Sequence, residues 1–306
     1  MASIGRLLTA MVTPFDASGE VDYAQARLLA KALVASGSNG LVVTGTTGEN
    51  PSLFHEENYR LWSEVKEAVG DTATVVAGSG TNGTGEAIKL SQDAARAGVD
   101  ALLQVVPYYN KPTQEGLFRH FTALAEATPL PNILYNVPSR TSTNMTAETT
   151  LRLSQVANII GIKEAADDLS QVGAIIRGAP NGFRVWSGND SDTFAQMCVG
   201  GYGVVSVASH LVGNQIKRMI DLTVAGDLAA AAAEHRRLLP LFKGLFVITS
   251  PIPIKYCINR AGFNVGGLRL PLLDADPATA AFLDNLMAGY QVDLPTPDAA
   301  VNVLSN

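Results

Sequence analysis

Ile159-Ile160-Gly161-Ile162-Lys163-Glu164-Ala165 is a run of β-branched residues, with Asn158 before it and Asp167-Asp168 after it. A short apolar run bounded by turn formers predicts a strand buried on both faces. Outward from this segment the same unit recurs in both directions. Strands are expected at Leu7–Thr13, Gly40–Gly45, Thr74–Gly80, Ala101–Pro107, Asn132–Pro138, Ile159–Ala165, Phe183–Asn189 and Gly203–Ser209. Helical periodicity fills the gaps, at Tyr23–Ser36, Glu56–Val69, Gly85–Ala97, Gln114–Ala127, Ala147–Gln155, Leu169–Arg177, Asp192–Val199 and Leu211–Ala225. Strand alternating with helix implies a parallel sheet. Eight such units in about 220 residues fit a (β/α)8 barrel of the α/β class, a TIM barrel, whose active residues sit at the C-terminal strand ends.

The alternation stops after Ala225. Leu228–Phe246, Pro253–Ala261 and Ala278–Tyr290 read as helices, punctuated by Pro251, Pro253, Pro271 and Pro277. The expected division is therefore a barrel over residues 1–225 and a C-terminal helical appendix over 226–306, with a loose tail after Pro295. A doubly wound open sheet is the competing fold. Gly78-Ser79-Gly80-Thr81-Asn82-Gly83 matches G-x-G-x-x-G between a strand and a helix. It follows the third strand, however, and a tight turn explains its glycines without a nucleotide.

Composition narrows the function. The 306 residues are 47% hydrophobic and 16% charged, with net charge −6, so the chain builds a large core and has no basic stripe for nucleic acid. Cys198 and Cys257 form no paired motif, and His55, His120, His210 and His235 have no metal-ligand spacing, so no metal site is expected. No signal pattern opens the chain and no run of about 18 apolar residues occurs, which points to the cytoplasm.

In a barrel, the strand ends share one mouth. There, Lys163 ends a buried strand; burial disfavours its ammonium and leaves more free amine at neutral pH. A free amine can attack a ketone to form a Schiff base. The bland alternative is a lysine that pairs with Glu164 or reaches solvent. Gly45-Thr46-Thr47-Gly48-Glu49 ends the second strand, with hydroxyls and turn N–H groups suited to a carboxylate. Tyr108 and Tyr109 end the fourth. Tyr135 ends the fifth and can shuttle protons, and Arg140 after it can clamp a carboxylate. Gly188-Asn189-Asp190 turns near the pocket floor, and Gly203-Val204-Val205-Ser206 leaves room beside a ligand. Together these groups suit condensation of a 2-oxo acid with an aldehyde, the protonated Schiff base acting as electron sink with no metal and no bound cofactor.

Gly45-Thr46-Thr47-Gly48-Glu49, Tyr135-Asn136-Val137-Pro138, Gly161-Ile162-Lys163-Glu164 and Gly188-Asn189-Asp190 resemble the pyruvate-dependent class I aldolase superfamily of N-acetylneuraminate lyase, over residues 3–295. Thr46-Thr47, the Pro107–Pro112 segment and Arg140 make the chain most similar to the dihydrodipicolinate synthase family within it. The resemblance implies condensation of pyruvate with L-aspartate 4-semialdehyde, the first committed step of lysine and diaminopimelate biosynthesis. It implies Lys163 as the Schiff-base lysine and Tyr135, Thr46 and Tyr109 as a proton relay, Tyr109 reaching into a neighbouring subunit. It implies Thr47 on the pyruvate carboxylate, Arg140 on the semialdehyde, and Gly188 and Val205 lining the pocket. It also implies a homotetramer built from tight dimers, with a feedback site for lysine at Asn50, Pro51, His55, Asn58, Asn82, Glu86 and Tyr108. Asn58 stands where inhibited bacterial members commonly have His or Glu, and Pro51 where they commonly have Ala. His210 stands where many members have Asn, and the sequence offers no physical reason for it.

Two other functions fit the same pocket. A lyase for sialic acid or a 2-keto-3-deoxy sugar acid would share Lys163 and Tyr135 but gain little from Arg140. A non-catalytic sensor of oxo acids or amino acids would need the pocket but not the relay.

Overall fold

The computed structural model describes residues 4–296. Eight strands run β1 (Leu7–Ala10), β2 (Gly40–Val43), β3 (Thr74–Gly78), β4 (Ala101–Val105), β5 (Asn132–Asn136), β6 (Ile159–Glu164), β7 (Arg184–Ser187) and β8 (Gly203–Ser206). Each pairs in parallel with the next, and β1 pairs with β8, so the sheet closes. Closure overrules the open-sheet alternative. The Gly-rich turn after β3 has a packing role: a Cβ at Gly78 would run into the Thr44 carbonyl, and one at Gly80 into the Val105 amide.

The outer helices are α1 (Tyr23–Ala35), α2 (His55–Val69), α3 (Thr84–Arg96), α4 (Gln114–Glu126), α5 (Pro138–Thr141), α6 (Ala147–Leu153), α7 (Leu169–Gly178), α8 (Thr193–Cys198) and α9 (Ser209–Val224). Side-chain caps fix several starts: Asp22 accepts from the Gln25 amide, and Asp168 from those of Ser170 and Gln171. The strands expected from sequence run one to three residues too long at their C-terminal ends. Those extra residues lead into the mouth loops: they are apolar enough to read as strand, and the first of them still bonds to the next strand, as the Val106 amide does to Tyr135 O at 2.9 Å, before the chain leaves the sheet. The one-turn helix α5, which carries Arg140, starts at Pro138, where the expected fifth strand ends, and has no counterpart among the expected helices.

The strands bury opposite faces against different partners. Leu8, Val42, Val76, Leu103, Ile133 and Val205 fill the barrel interior. Ile159 and Ile162 instead pack outward against Leu117, Phe121 and Val172. A register shift between β5 and β6 makes Ile160 the extra residue: Asn132 pairs Ile159, then Ile133 pairs Gly161. The bulge re-phases β6, so that Ile162 faces out, Lys163 in, and Glu164 out again.

Beyond the barrel lie α10 (Leu228–Gly244), α11 (Ile252–Arg260) and α12 (Pro277–Met287). Leu238, Phe242, Ile258 and Leu283 share one apolar cluster with Leu7, Leu29 and Trp62 of the barrel. We propose the 225/226 boundary as a change of architecture and not of core. The expected tail falls, from residue 297 on, outside the described residues.

Candidate active site

Strand register brings the central pair together. Tyr135 and Lys163 are direct partners on β5 and β6 and both point into the barrel. The Lys163 Nζ lies 4.2 Å from the centre of the Tyr135 ring. Both side chains are buried, Lys163 at 7% exposure. Among the described residues Lys163 has no ion pair. The Glu164 carboxylate points away, accepting from Asn136 Nδ2 at 2.9 Å, the Ala166 amide at 2.9 Å and Gln171 Nε2 at 3.1 Å. The bland pairing of Lys163 with Glu164 is therefore absent.

Burial pulls the Lys163 ammonium down to about 7; the Asp190 carboxylate opposes this and the Arg140 guanidinium adds to it. Burial pushes the Tyr135 phenol up to about 12, with Arg140 and the Thr46 side chain offsetting part of the rise. The amine is thus free in a substantial fraction near neutrality while the phenol keeps its proton.

These groups face a cavity of about 240 Å³ at the C-terminal mouth. Thr46, Thr47, Asn50, Tyr108, Tyr135, Arg140 and Lys163 all line it. Two consecutive turn bonds shape the Thr46-Thr47 segment, from the Gly48 amide to Gly45 O at 3.0 Å and from the Glu49 amide to Thr46 O at 3.1 Å. Arg140 Nη2 points to Ser250 O at 3.5 Å, so its guanidinium retains donors for a ligand. Gly188 packs beside the lysine: a Cβ there would lie 2.6 Å from the Ala165 Cβ and 3.3 Å from Lys163 Cε. Val205 is buried in the barrel interior and, like Gly188, lies off the cavity wall.

Of the four residues expected to be catalytic, Tyr109 is the one that does not line this chain's own cavity. It is 89% exposed with φ +72°. The remaining residues of the expected lysine site divide. Asn50 and Tyr108 line the cavity, His55 Nε2 and Glu86 Oε1 pair at 2.5 Å outside it, and Asn58 is buried with its Oδ1 unpartnered. The Asn82 carbonyl accepts from Asn110 Nδ2 at 2.8 Å.

Backbone strain gathers at the same end. Among the described residues, Thr44, Glu49, Tyr109, Lys111, Ser142 and Asp167 are the non-glycines with positive φ, and all lie in loops after β2, β4, β5 and β6. Thr44 is β-branched and pays most for φ +56°; its hydroxyl donates to Gly78 O at 3.3 Å and accepts from Trp62 Nε1 at 2.8 Å.

Two residues gain a role that sequence reasoning did not give them. Asp190 is buried, with Oδ2 accepting from the Val207 and Ala208 amides at 3.0 Å each, and it supplies the negative charge felt by Lys163. Its place in the Gly188-Asn189-Asp190 turn was the available signal. His210 is fully buried, and burial lowers its pKa to about 4, so it is neutral. Its Nδ1 donates to Val207 O at 2.8 Å and its Nε2 accepts from the Val12 amide at 3.2 Å. The ring therefore bridges the ends of β8 and β1, which accounts for a histidine there.

The family model described as the Dihydrodipicolinate synthetase family matches residues 3–287. The chain belongs to this family. It is 58% identical over 295 residues to a 4-hydroxy-tetrahydrodipicolinate synthase of Dehalococcoides mccartyi, covering 96% of this chain and 99% of that one. The solved dihydrodipicolinate synthase of Bacillus anthracis superimposes with a TM-score of 0.93 at 42% identity, over 95% of this chain and 99% of that one. The enzyme of Cyanidioschyzon merolae, solved with lysine bound, gives 0.92 at 45% identity over 94% and 98%. Family membership agrees with the closed barrel. Among the described residues, no group of three or more His, Cys, Asp or Glu side chains could hold a metal ion, and no helix is long and apolar enough to cross a membrane.

Proposed function

We propose that the chain is a class I aldolase-type lyase that condenses pyruvate with L-aspartate 4-semialdehyde to 4-hydroxy-tetrahydrodipicolinate, entering lysine and diaminopimelate biosynthesis. The observation that carries the mechanism is Lys163, buried without an ion pair among the described residues and set against the Tyr135 ring. Its free amine attacks the ketone carbon of pyruvate. The Tyr135 phenol, protonated at neutral pH, donates to the departing hydroxyl as water leaves and the Schiff base forms. Loss of a methyl proton gives the enamine, whose carbon attacks the aldehyde. The amine of the semialdehyde then displaces Lys163 as the ring closes.

Thr47 and the turn amides hold the pyruvate carboxylate, Thr46 sits in the relay with Tyr135, and Arg140 receives the semialdehyde carboxylate. Gly188 keeps the space beside Lys163 Cε open, and Val205 packs below. No metal or bound cofactor takes part in this scheme. The exposure of Tyr109 supports a relay completed across a subunit boundary, in a tetramer built from tight dimers working in the cytoplasm. Asn50, His55, Asn58, Asn82, Glu86 and Tyr108 are proposed as a lysine site, weakened by Asn58.

An aldehyde panel tests the reading. Turnover is expected with aspartate semialdehyde, and none with N-acetylmannosamine or glyceraldehyde. Preferred turnover of a sugar aldehyde would move the chain to the sugar-acid lyases, and binding of pyruvate without any turnover would favour the sensor.

A further inference from the structure

A second lysine is buried as deeply as Lys163, behind the wall of the same cavity. Lys255 of α11 is 1% exposed and donates to Glu49 Oε1 at 2.8 Å, the Glu49 side chain being fully enclosed. The same ammonium donates to Gly267 O at 2.6 Å and lies 4.2 Å from the centre of the Phe15 ring. The other Glu49 oxygen accepts from the Arg269 amide at 3.1 Å. Every partner of this carboxylate thus comes from the C-terminal region, whereas Glu49 itself closes the Thr46-Thr47 turn.

That turn needs holding. Glu49 sits at φ +57°, a conformation an L-residue keeps only under constraint. A Cβ at Gly48 would lie 3.1 Å from Met11 O and from Thr44 Cα, so the turn packs too closely on these neighbours to admit a side chain there. Other tethers of the turn include the Thr13 hydroxyl donating to Gly48 O at 2.7 Å and Asn50 Nδ2 donating to Gly78 O at 3.3 Å. Both grip the flanks and neither reaches the carboxylate of Glu49. A buried charge pair is poor at adding stability but demanding about geometry, which suits it to fixing position.

We propose that Glu49 and Lys255 are positioning residues. The C-terminal helical region, through this pair, sets the pose of the Thr46-Thr47 turn and with it the affinity of the site for the 2-oxo acid. This rests on Lys163 and Thr47 acting as proposed above. Breaking the pair lets the turn relax, and the substrate carboxylate loses its aligned partners while the amine of Lys163 is untouched.

The test is the pyruvate concentration that half-saturates borohydride trapping at Lys163, measured with the melting temperature. Wild type is compared with Glu49→Gln, with Glu49→Gln/Lys255→Met, which removes both charges, and with Glu57→Gln. Glu57 pairs with Arg269 at 2.6 Å in the same region without touching Glu49. Half-saturation should rise about tenfold in the first two variants, with trapping still complete at high pyruvate. Glu57→Gln should lower the melting temperature and leave half-saturation within about twofold. An unchanged half-saturation in the folded double variant, or an equal rise in Glu57→Gln, overturns the proposal. So does failure of both Glu49 variants to fold, which would make the pair a folding element. Absence of trapping in wild type would instead defeat the role of Lys163.

Discussion

Lys255 donates to a carboxylate at 2.8 Å and a carbonyl at 2.6 Å and lies against an aromatic face. Lys163, equally shut away from solvent, has no ion pair among the described residues and faces an open cavity of about 240 Å³. Burial depresses both ammonium groups, yet only Lys255 has a carboxylate in direct contact to hold its charge. The difference separates a lysine tied to a carboxylate, which suits holding geometry, from one left with a substantial free-amine fraction, which suits the proposed chemistry. Residue type and burial are the same; the nearest opposite charge decides the task.

Methionine at each position breaks that comparison most sharply. Lys163→Met should lose turnover by at least about 10⁴-fold, because no other group forms the covalent intermediate. The same change should stabilise the fold. The folded pKa of Lys163, about 7, lies below its ordinary 10.5, so between those values the unfolded chain binds the extra proton. The cost to the native state is full below pH 7 and vanishes above 10.5. Denaturation of Lys163→Met at pH 7 should therefore show a gain of about 4 kcal/mol that shrinks towards pH 10. Lys255→Met has the opposite sign: it strands Glu49 in the interior and should cost about 3–5 kcal/mol. Equal losses of stability in the two variants would refute the distinction.

Smaller effects sharpen the contrast around Lys163. Tyr135→Phe keeps the ring beside the amine but removes the proton, and kcat should fall about 10²- to 10³-fold. A fall below threefold would remove the phenol from the relay. Arg140→Ala should raise the KM for the semialdehyde about tenfold and, because its charge also helps hold the Lys163 ammonium down, change pyruvate trapping at Lys163 by a smaller factor. Equal losses for both substrates would mean that Arg140 shapes the whole mouth.

Much of this was legible in the sequence, for a physical reason. Alternation of apolar strands and amphipathic helices is dictated locally, so the barrel and the strand ends bearing Thr46, Tyr135 and Lys163 could be read directly. Register was less accessible. The extra residue at Ile160 decides that Lys163 faces inward, and nothing in Ile159-Ile160-Gly161-Ile162 marks which isoleucine bulges. Long-range pairs were invisible. Glu49 meets Lys255 across 206 residues, and His210 meets Val12 across 198. Their meaning depends on closure of the barrel and on how the C-terminal helices fold back over it. Strand ends were overread because mouth loops of a barrel are themselves apolar, as Val106 and Val137 are.

The most direct test of the central claim is borohydride trapping of the pyruvate adduct across a pH series, followed by peptide mapping. A reduced adduct at Lys163 resists trypsin and should appear on the peptide spanning 153–177. Its rate of formation at low pyruvate should climb as pH rises to about 7 and then level. No adduct on that peptide, or a rate still climbing towards pH 10 as for an ordinary solvated lysine, would contradict a buried amine kept free for catalysis.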